Sequence, residues 1–390
     1  MKSQKLNLLI LLLFFIQASK GQNIKTLSFY SQELNDKRVI QIYTPSDYKT
    51  SKDKTYPLTI ILDSEMVFDA YVGNMKYFAK NQAIPEHIVV GIRSNSNQAE
   101  YDFSIDLQTG MPDEFGQKYM SFVIYDLLGE YLEQEYRLSN FNAVIGHGET
   151  AAYLNYFLAE EVPIFNAYVS IDPKYYEGFH YLIDYTKQGL DGDFYFYYTN
   201  GYQGKTPEMQ EESTAVINSL ESMGLQNFKF KLGDTPSANR LLRFTQGLNE
   251  SFTMIYKDFA PISRELYNKE LKDLGPQATI DYLSRKYQNI SYLFGNNLNI
   301  RLSDVYMLES NIIDKEEGFY LKDFGEMILD IYPDEPLGYY YLGLYYEKGQ
   351  KYRKALGKYK EGFLLVDDQQ ARYNGYYTNI ERVLEKMAQD

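Results

Sequence analysis

The sequence predicts an α/β fold, a mostly parallel sheet of about eight strands between helices, followed by an all-α helical segment. Three observations predict it. Continuous apolar runs such as Tyr56–Leu62 (YPLTIIL) and His87–Ile92 (HIVVGI) recur, as expected for strands buried on both faces. Stretches with apolar residues at helical spacing separate the runs. After about Ala260 the strand signal stops and only helical patterns remain.

The chain opens with Lys2 and Lys5, an apolar run from Leu8 to Ile16, and small residues at Ser19 and Gly21. That layout is a secretory signal peptide over residues 1–21, with cleavage expected after Gly21. The run is shorter than the ~20 apolar residues that span a bilayer; an uncleaved anchor is the competing reading. No later segment reads as a membrane span. The expectation is an exported protein, periplasmic or secreted, with the outer membrane as a further place of association.

Lys25–Tyr30 and Val39–Tyr43 read as the first strands, and Tyr56–Leu62 and His87–Ile92 as the next two. Asn142–Ile145, Ala167–Ile171, Phe194–Tyr198 and Phe228–Leu232 complete the series. Helical spacing marks Phe115–Tyr136, Glu149–Leu158 and Glu208–Met223 between them. The alternation implies one α/β domain over residues 22–258.

Residues 259–390 form the expected helical domain, punctuated by Pro261, Pro276, Pro333 and Pro336. Tyr339, Leu342-Gly343, Tyr346, Ala355, Tyr359 and Gly362 fall at the offsets of a tetratricopeptide repeat, placed at 336–369. The small residues let two antiparallel helices approach, and the aromatics fill the seam. One repeat cannot bury its own faces, so helices within 264–331 are its expected neighbours, with a last helix at Tyr373–Met387 as a cap. An unrelated helical hairpin is the alternative.

Composition narrows the function. With 39 Lys+Arg against 53 Asp+Glu, the net charge is -14, which argues against nucleic acid or an anionic membrane as partner. Cysteine is absent, so disulfides, thiolate metal sites, iron–sulfur clusters and thiol nucleophiles are excluded. His87, His147 and His180 are the only histidines, too few for a multi-histidine metal site. Asp191-Gly192-Asp193 lacks the ligand ladder of a calcium loop, and no glycine-rich phosphate motif occurs. Glu208, Glu211, Glu212 and Asp367-Asp368 read as solvated faces. No metal and no cofactor are expected.

The residues that bear most on chemistry are Asn142-Ala143-Val144-Ile145-Gly146-His147-Gly148-Glu149-Thr150, followed by a helical pattern. A strand, a sharp glycine turn and a helix make a nucleophile elbow, whose usual frame is G-x-S-x-G with serine at the apex. Here the frame reads G-H-G-E-T: Gly148 stands at the serine position and Thr150 at the last glycine.

On these residues the chain resembles the esterase D-like family of α/β-hydrolases, in the exported form fused to C-terminal tetratricopeptide-like helices. The resemblance spans nearly the whole mature chain. Tyr56-Pro57-Leu58 through Leu62-Asp63 is similar to the family's third strand, which usually ends in Leu-Asp-Gly. Ile84-Pro85-Glu86 and Val89-Val90-Gly91-Ile92 resemble its I-P-E-x-I-V-V-G-I segment. Asp102 matches the Asp of its R-x-x-D motif, with Ala99 at the Arg position. Asp172-Pro173 with Tyr175-Tyr176 resembles its S-P motif with a trailing Trp pair. Gly233-Asp234-Thr235-Pro236-Ser237 resembles the G-E-x-H-x-S loop that carries the catalytic histidine.

The departures fall on the chemistry. Gly148 replaces the nucleophile and Pro236 replaces the histidine. Serine hydrolysis needs an Oγ to attack and an imidazole to take its proton, and neither residue supplies them. The triad acid has no clear counterpart; Glu208, Glu211 and Glu212 are the candidates. The resemblance therefore implies a catalytically degenerate member with vestigial positions at Gly148 and Pro236.

Candidate relic-cleft residues are Asp63, Ser64, His147, Glu149, Tyr175 and Tyr176. Ser64 follows the third strand and could face the cleft. His147 reads as a fold-supporting group beneath the elbow. Glu149 reads either as a helix cap or as a ligand contact at a helix N-terminus. His87 and His180 have no partner that the sequence identifies. Among the crowded tyrosines of the repeat, Tyr339, Tyr340, Tyr341 and Tyr345 are candidate contacts for a partner. The first functional expectation is a non-catalytic binding or scaffold component of the cell envelope. It would engage another envelope protein or peptide through its repeats, and a small ligand in the cleft. The alternative is an active serine-type esterase with a displaced nucleophile.

Overall fold

The computed structural model describes residues 23–94, 96–106, 109–160, 163–174, 180, 193–199, 206–233, 239–295, 298–313, 318–366 and 375–389. The signal peptide, Tyr175, Tyr176, Asp191-Gly192, Pro236, Asp367-Asp368 and the start of the last helix at Tyr373 lie outside the described residues. The chain divides into two compact units, Met1–Lys257 and Asp258–Asp390.

The first unit is built on an eight-stranded sheet. Its strands are β1 (Ile24–Ser31), β2 (Asp36–Tyr43), β3 (Tyr56–Ile61), β4 (Ile88–Arg93), β7 (Leu138–His147), β8 (Ala167–Ile171), β9 (Phe194–Thr199) and β10 (Phe228–Gly233). A short antiparallel pair, β5 (Ile105–Asp106) and β6 (Met111–Pro112), stands apart. The sheet order is β1-β2-β4-β3-β7-β8-β9-β10. The β1–β2 and β2–β4 pairings are antiparallel, and every later one is parallel. All residues of β3, β8 and β9 are buried, the reason these strands read as unbroken apolar runs.

Helices cover the sheet: α1 (Phe68–Lys80), α2 (Ser96–Asp102), α3 (Glu114–Ser121), α4 (Glu149–Tyr153), α5 (Asn155–Leu158), α6 (Pro207–Ser222) and α7 (Arg240–Ile255). α3 continues as a π-helical stretch, Phe122–Leu132, and ends at Glu133–Glu135. Local chemistry starts them. Asp113 accepts from the Phe115 and Gly116 N–H groups at the head of α3. Asn239 does the same for Leu241 and Leu242 at the head of α7.

One feature of this unit replaces a missing motif residue. Asp102 is buried, and Ala99 cannot pair with it. Arg38 from β2 reaches it instead, Nη2 to Oδ1 at 2.6 Å and Nε to Oδ2 at 3.2 Å. Ser94 Oγ donates to the same carboxylate at 3.2 Å.

Among its described residues the second unit holds helices and no strand. They are α8 (Arg264–Leu266), which runs on as a π-helical turn at Tyr267–Leu271, then α9 (Pro276–Phe294), α10 (Leu302–Leu308) and α11 (Ser310–Ile313). α12 (Tyr320–Ile331), α13 (Pro336–Lys348), α14 (Tyr352–Phe363) and α15 (Tyr376–Gln389) follow. Gly343 lets α14 come close: a Cβ there would lie 2.3 Å from the Tyr359 ring. Ala355, Tyr359, Tyr376 and Val383 form one buried cluster of this unit.

Tyr341 corrects an expectation. It is fully buried, its ring packs on Phe324 at 4.9 Å, and its hydroxyl donates to Glu309 at 2.7 Å. It is therefore a core residue and offers no surface. Tyr339, Tyr340 and Tyr345 are half-buried. Tyr340 packs against Tyr359 and Tyr376, and Lys358 lies over the Tyr339 ring.

Glu347 ties three helices of this unit together. It accepts from Tyr359 Oη at 2.8 Å, from Arg382 at 2.7 Å and from Lys386 Nζ at 3.0 Å. Burial alone would raise its pKa; these donors overcome that and hold it down at about 2, against an ordinary 4.5. A carboxylate depressed in this way contributes stability that is full above pH 4.5 and lost as pH falls toward 2. Glu347→Gln should destabilise the unit at neutral pH by about 1–3 kcal/mol. It should also flatten the acid limb below pH 4.5, read by hydrogen exchange of residues 336–389. An acid limb of unchanged steepness would count against the network.

Candidate active-site cleft

Three neighbouring parallel strands, β3, β7 and β8, end side by side. In open α/β sheets, ligand clefts form beyond such carboxyl ends. The residues just past them are Asp63, Gly148 and Asp172, and all three have positive φ: 52°, 69° and 52°. Such backbone is costly for a side-chain-bearing residue and tends to cluster at functional sites.

The elbow itself is tightly made. Gly148 has φ 69° and ψ -115°; its N–H donates to the Ile171 carbonyl at 3.0 Å and its carbonyl accepts from Lys174 N at 3.2 Å. Gly146 permits the turn: a Cβ there would lie 2.3 Å from the Thr150 carbonyl oxygen. A Cβ on Gly148 would meet nothing within 4 Å among the described residues. The turn thus keeps room for a side chain that the sequence does not supply.

Above the elbow lies a cleft of ≈ 220 Å³. Asp63, His147, Gly148 and Glu149 line it, together with Thr150, Asp172, Lys174 and Arg240; Ala99 and Phe103 from the α2 region form an apolar wall. Asp172 is buried and held by Arg243 Nε at 2.9 Å and by Thr199 Oγ1 at 3.2 Å. Glu149 pairs with Lys174 at 3.0 Å. Arg240 Nη2 donates to His147 Nδ1 at 3.1 Å. Burial, reinforced by the Arg240 charge, lowers the His147 pKa to about 4, so its imidazole is neutral near pH 7. Enclosure by the cleft, with Glu65 and Glu149 nearby, raises the Asp63 carboxyl.

The structure corrects several sequence expectations. Ser64 does not face the cleft: it is fully buried against Gly91 of β4, and its N–H donates to the Ile92 carbonyl at 2.8 Å. His147 lines the cleft wall, as its place among the candidate cleft residues expected, rather than sitting beneath the elbow as a fold-supporting group. Glu149 is exposed and caps nothing, since Gly148 occupies the N-cap of α4. Thr150 Oγ1 is spent locally, accepting from His147 N at 2.9 Å and donating to its carbonyl at 3.2 Å.

The remaining histidines have partners. His87 is buried; its Nδ1–H donates to the Pro85 carbonyl at 2.9 Å, and its Nε2 accepts from the Tyr71 hydroxyl at 2.7 Å. His180 Nδ1 lies 3.0 Å from Glu212. Glu212 is thus engaged away from the residues lining the elbow cleft, and Glu208 and Glu211 are not among those either. Sequence reasoning missed Arg240, Arg243 and Lys174. Lys174 adjoins the Asp172-Pro173 motif and could have been found there; the two arginines carry no local signal.

Among the described residues no group of three or more acidic or histidine side chains could hold a metal ion. Among the same residues no helix is long and apolar enough to cross a membrane.

An eight-stranded, mostly parallel sheet with a strand–elbow–helix turn at its centre is the α/β-hydrolase fold. Solved structures share it. An uncharacterised protein from Capnocytophaga ochracea DSM 7271 matches with TM-score 0.79 at 21% identity, over 93% of this chain and 99% of that one. An IroE-like serine hydrolase from Shewanella oneidensis matches with TM-score 0.55 at 18% identity, over 88% and 100%. The BES protein from Bacillus cereus matches with TM-score 0.52 at 15% identity, over 63% and 98%. At these identities the likeness is one of fold. No protein-family model matches the chain, and no curated protein does.

Proposed function

We propose that this chain is a non-catalytic member of the serine-esterase type, a pseudo-esterase that binds a ligand in the cleft where an esterase would cleave one. The observation that carries this is Gly148: the strained elbow geometry is kept, with open space above it among the described residues, but the apex residue has no side chain to act as a nucleophile. Hydrolysis by another group has little support. Thr150 Oγ1 is committed to the backbone, and Ser64 is sealed from the cleft. His147, the imidazole in the cleft, is held against a guanidinium rather than a carboxylate, the reverse of what a general base needs. In this reading the protein is exported to the cell envelope, where the helical unit acts as a tetratricopeptide-like surface for another envelope protein or peptide. Tyr339, Tyr340 and Tyr345 are its proposed contacts.

A fluorophosphonate probe with intact-mass readout tests the proposal. The native protein should take no adduct. Gly148→Ser with Pro236→His restores the two missing groups and should acquire measurable labelling. A stoichiometric adduct on the native protein would overturn the proposal and would mark the true nucleophile.

A further inference from the structure

We propose that the cleft over the elbow holds a small zwitterion of the α-amino-acid type, its carboxylate on Arg240 and its ammonium on Asp63. The inference rests on the binding role argued above and names the ligand class.

The charges of the cleft pair off incompletely. Glu149 is matched by Lys174 at 3.0 Å, and Asp172 by Arg243 at 2.9 Å. Arg240 and Asp63 are left over: both line the cleft, both are exposed, and neither forms an ion pair among the described residues. Arg240 directs one hydrogen bond to the neutral imidazole of His147, which holds the guanidinium in place without cancelling its charge. A fixed guanidinium fork suits a carboxylate, which it can grip with two parallel hydrogen bonds. Asp63 and Arg240 line the same cleft without an ion pair joining them, so a ligand can stand between them.

Simple ions fit poorly. A ligand carrying only a carboxylate would face Asp63 and Glu149. One carrying only an amine would face Arg240 and Lys174. A ligand carrying both charges satisfies both walls. The size agrees: ≈ 220 Å³ lies below the roughly 300–1,000 Å³ of pockets for drug-sized ligands. The absent side chain at Gly148 adds free volume at the floor, where no described residue lies within 4 Å of a Cβ position.

Titration calorimetry and saturation-transfer NMR on the full mature chain test this. The probes are glycine, L-alanine and L-leucine, each with its N-acetyl and its amide form. At least one free amino acid should bind, with both blocked forms roughly tenfold weaker or more, the loss of about one charged contact. Arg240→Met should abolish discrimination against the amide, and Asp63→Asn discrimination against the N-acetyl form. Both side chains are exposed, so the variants should keep the native melting curve. Blocked forms binding as well as free ones, no binding by any free amino acid, or variants with unchanged preference would each overturn the inference. Failure here is separable from failure of the non-catalytic reading. Amino-acid binding by a protein that also labels with fluorophosphonate sinks only the latter; absence of both labelling and binding sinks only the former.

Discussion

Arg38→Met should destabilise the first unit by about 3–5 kcal/mol, the typical cost of removing one partner from a buried ion pair. Arg38 and Asp102 are 5% and 2% exposed, so the orphaned carboxylate would have neither a cation nor water. Ser94 would remain as its one side-chain donor, too little to offset desolvation. For a unit of this size the loss corresponds to a fall in Tm of roughly 10 °C. Pairing the change with Asp102→Leu should recover much of it, because two apolar groups leave nothing unpaired. Urea denaturation of the two variants decides the point. A single variant within about 1 kcal/mol of the parent would mean that the pair is not structural.

The second large effect separates two glycines two residues apart. Gly146→Ala should cost roughly 3 kcal/mol or more, since its Cβ would sit 2.3 Å from one backbone atom of Thr150 and 2.4 Å from another. Backbone at the start of α4 has little freedom to move aside. Gly148→Ala should cost only about 1–3 kcal/mol, because its position has a strained φ but ample space. Urea midpoints measured side by side should keep that order. A reversed order would mean that the elbow is not built as described. The two glycines are thus required for different reasons, Gly146 by close backbone contact and Gly148 by its backbone angles alone.

The architecture was legible because buried parallel strands must be apolar on both faces. Every strand of the main sheet coincides with a run visible in the sequence. The boundaries were less visible. β7 begins at Leu138, four residues before its apolar run, because Ser139 and Asn140 lie where the strand end is not fully buried. In the cleft, Asp63, His147, Gly148 and Glu149 were legible through motif position, since each follows or closes a recognisable strand. Ser64 was misread because one residue past a strand end the chain turns inward, and neighbouring side chains go opposite ways. Arg38 and Arg240 were invisible for another reason. Each acts on a partner many residues away, Arg38 on Asp102 across 64 positions and Arg240 on His147 across 93. No local pattern encodes such a pairing. Tyr341 was misjudged because a run of tyrosines around a helix must place some of them inward, and periodicity within so uniform a run does not say which.

The outer strands of the sheet bear on how copies of this protein meet one another. β1 and β10 close the two ends of the strand order, and each carries exposed lysines: Lys25 on one, and on the other Lys229, whose ammonium bonds Tyr195, and Lys231, which lies 3.8 Å from Glu250. A strand arriving from another molecule would have to displace or accommodate these long charged side chains before gaining backbone hydrogen bonds. Phe228 and Phe230 would otherwise make β10 an inviting template for fibrous growth. The sheet is thereby protected from lengthening at its ends. Self-association, where it occurs, is left to side-chain surfaces, and a concentrated solution should remain free of the cross-β order that unguarded aromatic strands produce.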